Sequence, residues 1–332
     1  TLIRFGFLKK LAHQKSNFAM FRKYLFIGLL LPSFLFGQAT QKPLIEASNG
    51  MVVTTHPAAS KIGLDILKKG GNAIDAAVAV NFALAVCHPA AGNIGGGGFL
   101  VYRTAKGKAY TLDYREMAPL AGSRDMYLDS TGQVIPGKSF VGIHSVGVPG
   151  SVAGMVAMHK RLGKLTWEEL VQPAVDLARQ GVVLTGKEAR GLNRNRADFM
   201  KYNPRRAYMV KADSTQWAEG ELFIQSDLAN TLERILKYKS KGFYQGETAD
   251  LIVEEMKRQG GIITHRDLKS YKAIWRKPLI SQYKQYSIIG MPPPSSGGVA
   301  IGQLFSMIKP YPLARWGVQS DSTIQVMIEA ER

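Results

Sequence analysis

Gly70–Pro119 reads GGNAIDAAVAVNFALAVCHPAAGNIGGGGFLVYRTAKGKAYTLDYREMAP, and it divides into a helix, a glycine loop and two strands. Asn72 stands where a helix N-cap belongs and Asp75 falls in the first turn, which predicts a helix over Ala73–Cys87. Ala, Val and Leu surround that helix on nearly every side, the pattern of a helix buried in a core. His88-Pro89 ends it. Gly92 and Gly95 to Gly98 then let the backbone take conformations closed to other residues, or come very close to something else. A strand, Phe99–Arg103, follows at once, and a second runs from Ala109 to Tyr114 and ends in Arg115.

A run of glycines invites a phosphate-cradle reading. Dinucleotide and P-loop motifs, however, run strand, glycine loop, helix, whereas here the order is helix, glycine loop, strand, and no Gly-Lys-Ser/Thr follows. A tight turn between buried elements is the expectation. Arg115 has two readings. One is a surface ion pair with Asp113 or Glu116, which contributes little; the other is a bidentate clamp on a carboxylate, for which the planar guanidinium is suited. The local sequence leaves both open.

Outward from this stretch, Ile45 onward and MVVTTHP read as two short strands, and Pro57–Lys69 as an amphipathic helix stopped by Gly70-Gly71. Val141–Val148 is extended, and Pro149-Gly150 leads into a helix. Thr166 caps WEELVQPAVDLARQ, stopped by Gly181. Residues 187–219 suggest a helix followed by long surface loops. Leu222–Tyr238 and Gly246–Gln259 read as helices, Thr264 caps a short turn, and Ala273–Ile289 alternates as paired edge strands. MPPPSSGG, 291–298, is a rigid loop before a helix at Val299–Ile308, in which Ser295 and Ser296 are expected to be structural.

Met20 resembles a translation start. Arg22 and Lys23 form a basic region, Tyr24–Phe36 an apolar one, and Gly37-Gln38-Ala39 a small-residue cleavage site. About 13 apolar residues are too few to span a bilayer that needs roughly 20, so a signal peptide over 20–39 is expected rather than an anchor, with 1–19 as upstream read-through. Residues 1–39 carry six Lys/Arg and no acid, so their removal lowers the net charge from +18 to +12. The basic residues are scattered without an aromatic-interleaved patch, and no nucleic-acid partner is expected. Cys87 is the only cysteine and the six histidines lack ligand spacing, so neither a disulfide nor a structural metal is expected. Without linkers or repeats, residues 40–332 read as one layered domain.

Five blocks carry a resemblance: GGNAIDAAVAV at 70–80, HPAAGNIGGGGF at 88–99, LDYREMAP at 112–119, VPGSVAGM at 148–155 and MPPPSSGG at 291–298. In this order and spacing they resemble the large subunit of the γ-glutamyltranspeptidases, also called glutathione hydrolases. The resemblance implies an α+β fold, the four-layer αββα sandwich of N-terminal-nucleophile hydrolases. It implies a self-cleaving precursor whose new N-terminal threonine, on a small subunit beyond Arg332, is the nucleophile; its free amine takes the proton from its own hydroxyl. On this reading 40–332 is a large-subunit region truncated at its C-terminus, and no catalytic residue lies in this chain. Arg115 is then the arginine that grips the α-carboxylate of the γ-glutamyl group. Glutathione or another γ-glutamyl compound would be the substrate, and water, an amino acid or a peptide the acceptor. No cofactor is implied, and the location would be periplasmic or secreted. Thr54-Thr55-His56 matches the start of the family's small subunit in letters only and is read as coincidence. The alternatives are a β-lactam side-chain acylase of the same superfamily and a non-catalytic basic secreted protein that binds polyanions. Arg115 argues for the first reading over the acylase.

Overall fold

Two helices joined through Gly70-Gly71 begin the fold: α1, Pro57–Lys68, and α2, Ala73–Cys87. The structure, a computed structural model, describes residues 45–203, 208–213 and 215–332. The expected read-through segment 1–19 and signal peptide 20–39 lie outside the described residues. The chain divides into residues 1–50 and a unit of residues 51–332, and only the latter carries regular structure among the described residues.

α2 is built as its sequence predicts. Asn72 Oδ1 accepts from the N–H groups of Ile74 and Asp75, while Asp75 Oδ2 accepts from the N–H of Asn72 at 2.9 Å. Asp75 is fully buried and also accepts from the Lys164 N–H at 2.9 Å, so a buried charge is satisfied by backbone donors from two segments. Asn72 Nδ2 reaches the Leu162 carbonyl at 2.7 Å, tying the same cap to a third helix. Losing this cap in Asn72→Ala is expected to cost about 1–2 kcal/mol, read as a lower urea midpoint with an unchanged slope.

Small side chains let α2 sit at the centre. It packs on α1, on α3 (Ser151–Leu162) and on α4 (Trp167–Gln180), and α4 in turn packs on α5 (Ser226–Tyr238). Phe82 of α2 meets Trp167 edge-on at 5.7 Å, and the Trp167 indole N–H donates to the Ile235 carbonyl at 3.1 Å. Buried Cys87 belongs to this core. Burial, helped by the charge of Glu188, pushes its thiol up to about 11, which makes it an inert packing residue.

Strands β1 (Phe99–Arg103) and β2 (Ala109–Asp113) pair antiparallel, and β2 pairs on its other edge with β3 (Ile274–Arg276). Period-2 alternation gives the sheet two unlike faces. Leu100, Tyr102, Leu112 and Trp275 pack onto the helical core, whereas Val101 and Ile274 are exposed on the other face. Between β3 and the chain end lie a separate hairpin, β4 (Leu279–Tyr283) with β5 (Tyr286–Gly290), and helices Gly297–Ile308 and Asp321–Glu331.

Several expectations are corrected. No strand forms over 45–56: Val53 is 81% exposed and the segment pairs in none of the described sheets, so β-branched composition alone does not hold an extended segment in a sheet. His56 instead caps α1 through Nδ1, which accepts from the Ala58 N–H at 3.2 Å. Leu222-Phe223 is not the start of a helix but a two-residue strand paired with Val182-Val183. Residues 143–145 form a 3₁₀ turn inside the expected extended run, and only Val148 bridges to Met117. The paired strands expected over 273–289 split, the first joining β2 and the others forming the hairpin. The helix after MPPPSSGG starts at Gly297, two residues early.

Candidate functional site

Arg115 leaves the end of β2 on a segment, Tyr114–Met117, that is enclosed by two glycine-rich stretches. None of Gly92 and Gly95–Gly98 has a positive φ, and at Gly92 and Gly96–Gly98, though not at Gly95, a Cβ would collide with a neighbour, so these four serve close approach rather than an unusual turn. A Cβ on Gly97 would lie 2.8 Å from the Arg115 Cα and 2.6 Å from the Tyr114 carbonyl oxygen. From the other side, a Cβ on Gly150 would lie 2.0 Å from that same oxygen. The two stretches are bonded to each other: the N–H groups of Gly150 and Ser151 donate to the Gly96 carbonyl at 2.7 and 3.0 Å. Gly98 and Tyr114 exchange backbone hydrogen bonds, as do Met117 and Val148. Backbone is thus packed on backbone around Arg115, which no residue with a side chain at 97 or 150 would permit.

The structure gives the Arg115 guanidinium no ion pair with Asp113. Asp113, almost fully buried, is taken by Arg276, whose Nε and Nη2 both donate to Asp113 Oδ2 at 2.9 and 2.7 Å. Asp113 gives Arg115 only a backbone contact, Oδ1 accepting its N–H at 3.1 Å. Among the described residues the Arg115 guanidinium forms no ion pair; its one neighbour of note is the Phe99 ring, 6.0 Å to the centroid. It is exposed on the rim of a depression of about 450 Å³ lined by Gly95, Glu116, Met117, Ala118 and Ser145–Gly147. A cation without a partner in a concave site can take an anion.

This arrangement, a Tyr-Arg-Glu-Met segment walled by glycines and presenting a guanidinium without an ion pair among the described residues, is built by three of the five sequence blocks, 88–99, 112–119 and 148–155. The sequence model described as gamma-glutamyltranspeptidase matches residues 59–332. The chain belongs to this family. It is 45% identical over 294 residues to a glutathione hydrolase proenzyme of Pseudomonas sp. (strain A14), covering 89% of this chain and 51% of that protein. It is 38% identical over 288 residues to the glutathione hydrolase proenzyme of Escherichia coli (strain K12), with 87% and 50% covered. The chain therefore spans about half the length of the curated relatives it matches. Its structure resembles the crystal structure of Helicobacter pylori gamma-glutamyltranspeptidase with a TM-score of 0.84 and 46% identity, covering 87% of this chain and 82% of that one. The expected α+β class is borne out.

Of the family blocks, the structure brings 88–99, 112–119 and 148–155 to one place; GGNAIDAAVAV forms the helix beneath them. MPPPSSGG contributes no residue to the depression. Sequence reading missed Tyr244, Tyr271 and Asp267, each of which touches this segment or its support from more than 90 residues away. No local signal marks them, since each looks like an ordinary helix-end residue. Among the described residues no cluster of His, Cys, Asp or Glu has the form of a metal site, and no helix is long and apolar enough to cross a membrane.

Proposed function

We propose that this chain is the large-subunit part of a self-processing γ-glutamyl hydrolase and transferase, acting on glutathione and related γ-glutamyl amides. The guanidinium of Arg115, without an ion pair among the described residues and exposed at the depression, carries the reading. A bidentate guanidinium matches the α-carboxylate that distinguishes a γ-glutamyl amide from other amides. The nucleophilic threonine belongs to the remainder of the proenzyme, about the other half of the relatives' length. Its hydroxyl attacks the γ-carbonyl, the amine is expelled, and the γ-glutamyl ester passes to water, an amino acid or a peptide.

Unpartnered apolar surface supports a second polypeptide. The helix Gly297–Ile308 has no buried residue and exposes Val299, Ile301 and Met307; the helix Asp321–Glu331 exposes Ile324, Met327 and Ile328; and Val101 and Ile274 are exposed on the strands that flank buried Thr111. Exposed apolar side chains gathered on two neighbouring helices are the kind of surface that marks an interaction site. The small subunit is the occupant on this reading.

The test is expression of residues 40–332 with and without the remainder of the proenzyme, assayed on a chromogenic γ-glutamyl anilide. This chain alone is expected to be inactive and the processed complex active. Activity from 40–332 alone would place the nucleophile in this chain and refute the proposal. The enzyme is further proposed to be exported to the periplasm or secreted, with cleavage after Ala39. Mass spectrometry of the exported large subunit should then find Thr40 at its N-terminus; retention of Tyr24–Phe36 would argue for an anchor instead.

A further inference from the structure

The segment that presents Arg115 is held from outside the glycine loops by a single short helix, His265–Ser270, at two points. Asp267 Oδ1 accepts the Leu120 N–H at 2.6 Å, while Asp267 Oδ2 closes the capping box with the Thr264 N–H at 2.8 Å. At the other end of the helix, the Tyr271 hydroxyl donates to the Arg115 carbonyl at 2.7 Å. We propose that Tyr271 is a positioning residue for the substrate clamp: its hydroxyl fixes the Arg115 carbonyl and thereby the direction in which the guanidinium projects. The inference rests on the reading of Arg115 as the carboxylate clamp.

Three observations single out this hydroxyl. The Tyr271 ring lies parallel to that of Tyr244, with centroids 5.8 Å apart and planes within 3°. Tyr244 is itself immobilised, donating to the Pro149 carbonyl at 2.8 Å and accepting from the Ala153 N–H at 3.2 Å, so the stack stands on the start of the helix Ser151–Leu162. A Cβ on Gly150 would come within 2.2 Å of the Tyr271 hydroxyl, which shows how closely the phenol is seated against the same glycine that faces Tyr114. Third, the Arg115 guanidinium has no ion pair among the described residues to hold it, which leaves the backbone at 115 as the anchor from which its rotamers start. Burial first, then the charges of Asp113 and Glu116, raise the Tyr271 phenol above its ordinary range, so it remains a donor throughout the working pH of a hydrolase.

Tyr271→Phe keeps the ring stack and removes only the hydrogen bond. In the processed enzyme it is expected to raise KM for a γ-glutamyl anilide roughly 3- to 10-fold, the worth of one hydrogen bond, with kcat within about twofold. The same variant should leave an analogue lacking the α-carboxylate unaffected, and should add no further loss in an Arg115→Ala background. An unchanged KM, an equal loss on both substrates, or a full additional loss in the Arg115→Ala background would each overturn the positioning role. The clamp reading is tested separately by Arg115→Ala alone: near-normal efficiency there removes the clamp, and this inference with it. Tyr271→Ala, which also removes the stack, should exceed the Phe variant in both KM and thermal stability loss; if the two are alike, the ring is not the support.

Discussion

Arg115→Ala in the complete, processed enzyme is expected to lower kcat/KM for a γ-glutamyl substrate by roughly 30-fold to several thousand-fold. Removing one partner of a desolvated, hydrogen-bonded charge pair costs on the order of 2–5 kcal/mol, and ~1.4 kcal/mol is a factor of ten. Arg115 is exposed in this chain by itself, so the upper part of the range requires the second subunit to close over the depression. A loss confined to a few-fold would mean that the pair stays wet. Arg115→Lys should recover only part of the activity, because an ammonium keeps the charge and loses the planar fork. A substrate analogue without the α-carboxylate is the control: the wild type should process it poorly and the Ala variant no worse. The surface-pair reading predicted a change below about 1 kcal/mol for either substitution. Engagement of Asp113 by Arg276 already removes one of the two partners that reading offered.

Gly150→Ala is expected to be the most damaging single-methyl change near the site. The backbone at 150, φ −116° and ψ −17°, suits any residue, so the cost is steric alone. The added carbon would stand 2.0 Å from the Tyr114 carbonyl oxygen and 2.2 Å from the Tyr271 hydroxyl, and the first of these is backbone in a packed core that cannot swing aside. Overpacking of this kind costs about 3 kcal/mol, a fall in Tm of roughly 5–10 °C. Relief would come by displacing Tyr114 and, with it, Arg115, so kcat/KM should fall further than the loss of folded protein explains. Gly191→Ala is the matched control. It lies inside the helix Gly186–Arg194, where a Cβ meets nothing, and should be neutral or stabilising by up to about 1 kcal/mol. Equal Tm values for the two variants would contradict the account of Gly150 as a close-approach position.

The boundaries of α2 were legible in the residues because the determinants are local: Asn72 and Asp75 satisfy each other's backbone within one turn, and the apolar surround needs no knowledge of what it packs on. The same holds for Thr166 with Glu169 and Thr264 with Asp267, whose reciprocal caps place helix starts to the residue. Local character also explains the failures. Val52 and Val53 have strand composition, but a strand exists only where another edge accepts its hydrogen bonds, and residues 45–56 meet none. Leu222-Phe223 pairs with Val182-Val183 across 40 residues of sequence, a partnership invisible to any window. The family blocks marked Arg115, yet not why it is available; that follows from Arg276 capturing Asp113 from a strand 163 residues away. The glycines at 97, 98, 150 and 154 were legible as glycines, but their purpose was decided in three dimensions, where each leaves room for Tyr114 or the backbone beside it. Short-range hydrogen bonding and apolar patterning thus determined the helix starts, and the five sequence blocks the family to which they belong. Which arginine is spent on the buried Asp113 depended on contacts between distant segments, and these exist only once the chain has packed.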